Sequence, residues 1–216
     1  ASLQHEKAVG ASSRIEQYLR HVSQQVSYAA LPQIDAADLD LRRMEFLKLL
    51  RQAPEVTDIS MLDAAGREQI AVSRLGMDVV ASGKDRSQEA AFINAKPGQP
   101  WYGPVYFRKE TEPYMTVALR SGGAKGPVTV AEMNLKFIWD VVSRIKIGDK
   151  GKAYVIDKSG LLVADPDIGL VLRKTSMAEL AHVKAAAGAR SADEPAMQSH
   201  DLAGTKVLTS MAPIDP

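Results

Sequence analysis

The stretch GDKGKAYVIDKSGLLVADPD, residues 148–167, decides the fold of this chain. Two apolar, β-rich runs, Ala153–Ile156 and Leu161–Ala164, flank the tetrapeptide DKSG at 157–160. An Asp side chain bonds nearby backbone amides, and Gly adopts positive φ without steric cost. Asp-x-x-Gly between two such runs therefore predicts a β-hairpin.

The same pattern occurs once more, earlier in the chain. Residues 56–72 read VTDISMLDAAGREQIAV, with Asp63 and Gly66 at the same spacing as Asp157 and Gly160. We therefore interpret the second hairpin as the start of a second copy of one module.

Composition sets broad limits on the class of protein. The 216 residues are 45% hydrophobic and 25% charged, which is typical of a globular protein, and the repeat favours two modules. A formal net charge of +1 gives no electrostatic case for binding nucleic acid or an acidic membrane surface. The absence of cysteine excludes disulfides, thiolate metal sites and Cys nucleophiles. No apolar run approaches the roughly 20 residues that span a bilayer. Together with the initial Ala, this leads us to expect an excised soluble piece of a longer protein.

Residues 2–31 carry the longest helical pattern. Apolar residues recur at three- and four-residue steps and form one stripe, namely Ile15, Tyr18, Leu19, Val22, Val26 and Ala29. Pro32 is expected to end the helix. At 1.5 Å per residue the helix would be about 45 Å long. We therefore expect its N-terminal part to project toward a partner helix or a membrane segment, and two subunits to pair along the stripe. The alternative is a long helix that packs on its own domain.

The first module follows this helix. Asp35, Asp38 and Asp40 form an acidic cluster that is best explained as capping of a helix at Leu39–Gln52. The further predicted elements are a polar loop at Val79–Lys84, a helix at Ser87–Ala95 capped by Ser87, strands at Val105–Arg108, Tyr114–Arg120 and Val128–Met133, and a helix at Leu135–Ile147.

The second module starts at Gly148. Its hairpin is followed by a helix at Ala178–Ala187, a mobile loop at Gly188–Asp201 and a strand at Lys206–Met211, the expected counterpart of Tyr114–Arg120. The predicted class is α+β, with a long N-terminal helix and two PAS-like modules, each an antiparallel sheet with flanking helices. The predicted divisions are the N-terminal helix (1–34), the first module (35–134), a connecting helix (135–147) and a second, C-terminally truncated module (148–216).

The order of these elements resembles the double Cache sensor domains, which are tandem extracytoplasmic PAS-like domains. Residues 148–167 are similar to the membrane-proximal half of such sensors, and WYGPVYFRKETEPYMTVALR, 101–120, resembles the ligand-facing part of the membrane-distal half. The resemblance implies flanking transmembrane segments that are absent from this chain, a periplasmic location at a bacterial inner membrane, and a small-molecule ligand in the distal module.

No catalytic constellation is present in the sequence. The four histidines lack metal-motif spacing, and there is no nucleophile elbow or phosphate-binding loop. The GGAKG run at 122–126 is best explained as a hairpin tip, and Asp165 and Asp167 as an Asp-Pro-Asp turn. We therefore predict no enzymatic activity, no catalytic residue, no metal and no cofactor.

The resemblance also implies where a ligand would bind. Trp101 and Tyr102 match an aromatic pair that lines the pocket in amino-acid-binding members, and Tyr106 matches a further ring. Glu132 matches an acid that holds the ligand ammonium. We also place Arg74 and Tyr114 among the candidate binding residues.

Two positions depart from the amino-acid-binding pattern. The Arg that would hold the ligand carboxylate is Gln99, and a second acid is replaced by Arg108. Losing the bidentate fork and reversing a charge argue against an α-amino acid. With Arg108 and Arg74 facing the cleft, we expect a small anion such as a carboxylate. Alternatively, Arg108 pairs with neighbouring glutamates and only fixes the sheet, and Trp101 is core packing.

The amino-acid sequence of the second hairpin most resembles that of the corresponding hairpin in sensor histidine kinases. We therefore expect the input domain of a membrane-bound histidine kinase in a two-component system, acting as a homodimer through the N-terminal helix. The alternatives are the same sensor fold feeding a diguanylate cyclase or a chemoreceptor, and a ligandless structural or protein-interaction module.

Overall fold

The structure, a computed structural model, describes residues 2–31, 38–109, 112–148, 150–188 and 196–216. Its helices are α1 (Ser2–Ala29), α2 (Leu39–Gln52), α3 (Ala90–Asn94), α4 (Lys136–Ser143), α5 (Ile168–Leu172) and α6 (Ala181–Gly188). Its strands are β1 (Val56–Leu62), β2 (Glu68–Ser73), β3 (Val79–Val80), β4 (Trp101–Tyr102), β5 (Tyr106–Arg108), β6 (Glu112–Arg120), β7 (Val128–Asn134), β8 (Val155–Ile156), β9 (Leu162–Ala164), β10 (Met197–His200) and β11 (Lys206–Thr209).

The strands of the first module form one sheet in the order β3-β2-β1-β7-β6-β4, with β5 also paired to β6. β1 pairs antiparallel with β2 and β7, and β7 pairs antiparallel with β6. These central strands are rich in β-branched and apolar residues and are largely buried on both faces, so helices must cover both. The mixed elements and the antiparallel sheet confirm the predicted α+β class.

Two further short pieces of strand belong to this sheet and were not predicted. Val79–Val80, in the predicted polar loop, pairs with Ala71 and Ile70 of β2. Trp101–Tyr102, for which no strand was predicted, pairs with β6. Both pieces are too short to show a period of two, so backbone pairing at the sheet edges decides their structure.

Three hairpins of the described chain close with the same Asp-x-x-Gly turn, at 63–66, 157–160 and 201–204. In each turn the Asp Oδ1 accepts hydrogen bonds from the backbone N–H groups two and four residues later, at 2.8–2.9 Å. The turn glycines have φ between +78° and +82°, a left-handed conformation that favours glycine. The hairpin mechanism predicted from Asp and Gly is therefore confirmed, and it operates once more than the sequence analysis recognised.

The third turn corrects the predicted mobile loop at Gly188–Asp201. Residues 197–200 are strand β10, which pairs antiparallel with β11, because the Asp201 turn brings the two segments together. Residues 189–195 lie outside the described part of the chain.

The first two hairpins share a longer-range relation. The carbonyl of Gly66 accepts a hydrogen bond from the backbone N–H of Arg86, and the carbonyl of Gly160 accepts one from Met177, both at 2.8 Å. In both cases the later segment leads into a short helix, α3 or α6. Such shared geometry is what a duplicated module would produce, while the exact module boundaries stay a prediction.

The apolar stripe of α1 is used within the chain. Five of its six residues are buried, including Val22 and Val26, and Tyr18 stacks on Phe137 with ring centroids 3.6 Å apart. The prediction that this stripe pairs two subunits is therefore wrong, because its surface is already covered.

The N-terminal part of α1 also has partners within the chain. His5 Nδ1 lies 3.2 Å from Ser210 Oγ, the Ser12 hydroxyl donates to the carbonyl of Pro213, and the N–H of Asp215 donates to Glu16 at 2.9 Å. The expectation that this part projects away from its own chain is thus incorrect.

Helix termini agree with the predictions in part. The Asp38 side chain accepts from the N–H of Leu41 at 2.9 Å and caps α2 as predicted, whereas Asp35 and Pro32 lie outside the described residues. α3 begins after Glu89, which makes no side-chain cap. Ser87 is not the cap, because the helix begins later than predicted and Ser87 lies two residues before the cap position.

The chain divides into two compact units. The terminal unit comprises Ala1–Leu19, Arg108–Glu112 and Lys136–Pro216, and the sheet unit comprises Arg20–Phe107 and Pro113–Leu135. Within the sheet unit, the guanidinium of Arg42 on α2 donates to the carbonyls of Ala29 and Leu31, at 2.7 and 3.2 Å, which satisfies acceptors at the end of α1.

Candidate functional site

A pocket of about 220 Å³ lies in the sheet unit between α3 and the sheet. Three of the predicted binding residues line it, namely Trp101, Tyr106 and Glu132. The other lining residues are Glu89, Ala90, Ala91, Pro104, Thr116 and Val130.

Strand alternation decides which side chains reach this pocket. Thr116 on β6 lies directly opposite Glu132 on β7, and Trp101 on β4 lies opposite Ala118 on β6. Because successive side chains point to opposite faces of a sheet, these positions share the face that α3 covers. Trp101 packs there beside the buried cluster Leu62, Ala91, Ala95, Ala118, Val128 and Val130.

The same alternation places Tyr102 on the other face of the sheet. Its hydroxyl donates to Ser23 Oγ on α1 at 3.0 Å, and burial raises the pKa of Tyr102. The aromatic pair inferred from the resemblance is thus divided, with one ring at the pocket and the other packed against α1.

Glu132 is oriented in the pocket by two hydroxyl groups. Its Oε2 accepts hydrogen bonds from the Tyr106 hydroxyl at 2.5 Å and from Thr116 Oγ1 at 2.9 Å. The buried ring of Tyr114 lies 6.0 Å from that of Tyr106 and supports it from outside the pocket lining. A carboxylate has about four acceptor positions, so Glu132 keeps capacity to bind a cationic donor.

Arg86 fixes the segment that precedes α3. Its Nε lies 2.9 Å from both oxygens of Glu89, and its Nη1 donates to Ser60 Oγ at 2.7 Å and to Glu68 Oε2 at 3.0 Å. Burial alone would lower the pKa of Arg86, but the hydrogen bonds and charges of Glu89 and Glu68 outweigh it and raise that pKa.

Arg120 fixes the other end of α3. Its guanidinium donates to the carbonyls of Phe92 and Ala95, at 2.8 and 2.9 Å, and lies 4.8 Å from the centroid of the Phe92 ring. Arg86 and Arg120 were both missed by the sequence analysis, because neither belongs to a motif and their partners are distant in sequence.

The charged residues in the described lining, Glu89 and Glu132, are both acidic. That lining includes neither Arg74, which is exposed after the end of β2, nor Arg108, which is half-buried at the end of β5. The two arginines on which the anionic ligand was predicted are thus not brought to this pocket, and their roles stay predictions.

The terminal unit contains a chain of buried polar side chains. The Tyr154 hydroxyl lies 2.5 Å from His182 Nε2, and His182 Nδ1 lies 2.8 Å from Ser199 Oγ. Burial raises the pKa of Tyr154 to about 12, with a further contribution from the charge of Asp165, and burial lowers the pKa of His182. These side chains join the start of the second hairpin, α6 and β10.

The acids of the predicted Asp-Pro-Asp turn have structural partners. Asp165 is fully buried, and its carboxylate accepts from Lys152 Nζ at 2.7 Å and from the N–H of Asp167 at 2.8 Å. Asp167 caps α5 by accepting from the N–H of Gly169 at 3.0 Å. The predicted turn is therefore confirmed.

The sheet unit thus combines an antiparallel sheet, a short helix across one face and a pocket beneath that helix. The chain belongs to the Cache domain family, whose model matches residues 1–216. Membership confirms the resemblance to Cache domains and makes the chain an extracytoplasmic sensor domain rather than an enzyme. In the described part of the chain, the helices are too short or too polar to cross a bilayer, and no group of His, Asp and Glu is arranged to hold a metal.

Solved structures share this fold at low sequence identity. The ligand-binding domain of the Pseudomonas aeruginosa amino acid chemoreceptor PctC, in complex with GABA, is 20% identical over 98% of this chain and 92% of that one, with a TM-score of 0.66. The sensory domain of the Campylobacter jejuni chemoreceptor Tlp3 is 11% identical over 96% and 86%, with a TM-score of 0.70. The extracellular domain of the putative histidine kinase mmHK1S-Z2 is 14% identical over 95% and 90%, also with a TM-score of 0.70. A comparison with curated protein sequences finds no match.

Proposed function

We propose that this chain is the periplasmic input domain of a membrane-bound bacterial sensor histidine kinase and that it binds a small amine in the pocket beneath α3. One observation carries the ligand class. Glu132 is oriented by two hydroxyl donors, Tyr106 and Thr116, and no cationic side chain is part of the described lining. A carboxylate held in this way accepts strong, charge-assisted hydrogen bonds from an ammonium group.

The charge of the pocket favours an amine over the small anion that the sequence predicted. An anion would lie beside Glu132 and would meet like charge, which disfavours binding in a partly buried site. Trp101 and Tyr106 supply aromatic surface on which a cation is also favourable.

An α-amino acid remains disfavoured as the ligand. Gln99 replaces the arginine that would hold the α-carboxylate, as the sequence analysis noted. The relative PctC is complexed with GABA, an amine whose carboxylate is distant from its ammonium group. This supports amines that need no bidentate carboxylate clamp.

Titration calorimetry with matched panels of amines, amino acids and carboxylates tests this proposal. An ammonium–carboxylate hydrogen bond is worth about 1.5–3 kcal/mol, so Glu132→Gln should weaken amine binding by about tenfold to a hundredfold. Glu179→Gln removes one exposed acid in the terminal unit and is the charge-matched control. Binding of carboxylates but not amines, or an unchanged amine affinity in Glu132→Gln, would refute the amine assignment.

A histidine kinase as the output of this sensor is supported by the amino-acid sequence of the second hairpin and by the shared fold of the putative kinase mmHK1S-Z2. A chemoreceptor is the second candidate, because PctC and Tlp3 share the fold, with TM-scores of 0.66 and 0.70. We further propose that the two hairpins mark a double Cache arrangement. The coding sequence beyond residue 216 decides the output, since a kinase core, a cyclase domain and a long coiled coil differ plainly.

We also propose a homodimer through the exposed face of α1, since the stripe is covered. Leu3 and Val9 are exposed large apolar residues of α1. Val9→Glu should weaken dimers of the membrane-anchored protein, which crosslinking measures, and an unchanged dimer would exclude this face.

A further inference from the structure

The two acids that line the pocket differ in their partners. Glu132 accepts hydrogen bonds from two neutral hydroxyls, whereas Glu89 is bound by the guanidinium of Arg86. Both acids contribute to the same cavity of about 220 Å³, so their net charges determine which ligands the cavity accepts.

The Arg86–Glu89 contact is a fork that engages the whole carboxylate. Nε lies 2.9 Å from each Glu89 oxygen, and Nη2 lies 2.8 Å from Oε2. The Arg86 side chain is only 13% exposed and is held from behind by Ser60 and Glu68. Residues of the sheet thus fix the position of the Arg86 guanidinium, and the more exposed Glu89 pairs with it there.

We propose that Arg86 is a specificity-determining residue that neutralises Glu89 and so restricts the pocket to ligands with a single ammonium group. The inference rests on the proposed amine-binding function. One ammonium binds at Glu132, while a second ammonium at the α3 side of the cavity meets a carboxylate already paired with a guanidinium. Monoamines are therefore preferred over diamines of equal length.

The direction in which the diamine-to-monoamine affinity ratio changes distinguishes an effect of charge from an effect of packing. Arg86→Gln leaves Glu89 without its counter-ion, so affinity for a diamine should rise relative to a monoamine. Glu89→Gln leaves Arg86 with less neutralisation on the pocket side, so the same ratio should fall. Glu89 is 41% exposed, and each change should therefore be about fivefold, the scale of a surface ion pair.

The probes are 1-aminopentane and 1,5-diaminopentane, which differ only in the second ammonium group. Calorimetry on the whole chain gives the diamine-to-monoamine affinity ratio for wild type, Arg86→Gln, Glu89→Gln and the double variant. We expect opposite shifts in the single variants and a ratio near wild type in the double variant. Arg120→Gln also loosens α3 but leaves Glu89 paired, so its ratio should match wild type, whatever happens to both affinities.

Several results would overturn the inference. A wild-type preference for the diamine, or a ratio unchanged in both single variants, shows that Arg86 does not control specificity. If Arg86→Gln fails to fold, Glu89→Gln alone decides, because an unchanged or raised ratio contradicts the proposal. Failure of wild type to bind either amine removes the proposed function as well, whereas Glu132-dependent binding with an unresponsive ratio removes only the role of Arg86.

Discussion

Alanine at the turn glycines should destabilise the protein unequally, although the turns are alike. Gly160 and Gly204 have φ of +82° and +78°, and both close an Asp-x-x-Gly hairpin in the terminal unit. A Cβ at Gly160 would lie 2.8 Å from the Cα of Ala178, whereas a Cβ at Gly204 meets nothing within 4 Å. A comparison of Gly160→Ala with Gly204→Ala therefore distinguishes the cost of backbone strain from the cost of steric overlap.

The magnitudes follow from these two terms. A non-glycine residue in the left-handed region costs about 1–2 kcal/mol, offset by about 0.4–1 kcal/mol from the stiffer unfolded chain. Gly204→Ala should thus lower the free energy of unfolding by about 1 kcal/mol. Gly160→Ala adds overpacking against backbone, about 1–3 kcal/mol, and should reach about 3 kcal/mol in total. Gly66→Ala should behave like Gly160→Ala, since its Cβ would lie 2.6 Å from the Cα of Ser87.

Urea unfolding of single-tryptophan variants measures these costs unit by unit. Trp139 lies in the terminal unit and reports Gly160→Ala and Gly204→Ala, while Trp101 lies in the sheet unit and reports Gly66→Ala. The midpoint should shift without a change in slope, because little surface exposure is altered. Equal costs at Gly160 and Gly204 would refute the reasoning, since backbone strain alone would then explain both.

Three further predictions concern titration, packing and the division of the aromatic pair. Burial lowers the pKa of His182 in the folded protein below its value of about 6.5 in the unfolded chain. The contribution of neutral His182 to the free energy of unfolding is therefore complete above about pH 6.5 and is lost as the pH falls below that value. Thermal unfolding should show this loss between pH 7 and 5, and His182→Gln should flatten the profile, whereas an equally steep profile would contradict it. Val26→Asp buries a charge and should cost about 3–5 kcal/mol in urea unfolding, while a stable variant with only weakened self-association would restore the stripe as an interface. In calorimetry, Tyr102→Phe should leave the amine affinity within about twofold, whereas Tyr106→Phe should reduce it severalfold. Of these two tyrosine hydroxyls, only that of Tyr106 donates to Glu132. Equal effects would argue against the placement of the two rings on opposite faces of the sheet.

Local chemistry explains what the sequence could predict about the fold. The Asp63 and Asp157 turns are read directly from Asp and Gly at fixed spacing, and helix α2 from its Asp38 cap and its periodicity. The Asp201 turn carries the same signal in DLAG, yet it was missed because MQSH, the strand before it, lacks an apolar run. Pairing between strands, rather than propensity, forms that hairpin.

The candidate site was only partly predictable. Glu132, Trp101 and Tyr106 were named from a resemblance, and the structure brings all three to one pocket, although their binding role stays a prediction. The position of Tyr102 follows from strand alternation, which the sequence could not show while β4 was unrecognised. The contacts of Arg86 with Ser60 and Glu68 join residues 26 and 18 positions apart, and no local pattern encodes them.

Strand β7 contributes Glu132 to the pocket and also leads along the chain from the sheet unit to the terminal unit. Glu132 lies on β7, and only residues 133–135 separate it from Lys136, the first residue of α4 in the terminal unit. Backbone hydrogen bonds persist along this link, from Asn134 to Glu55 at 2.8 Å and from Leu135 to Pro113 at 2.9 Å. Strand β7 therefore carries the candidate binding acid Glu132 and, three residues later, the chain connection into the terminal unit.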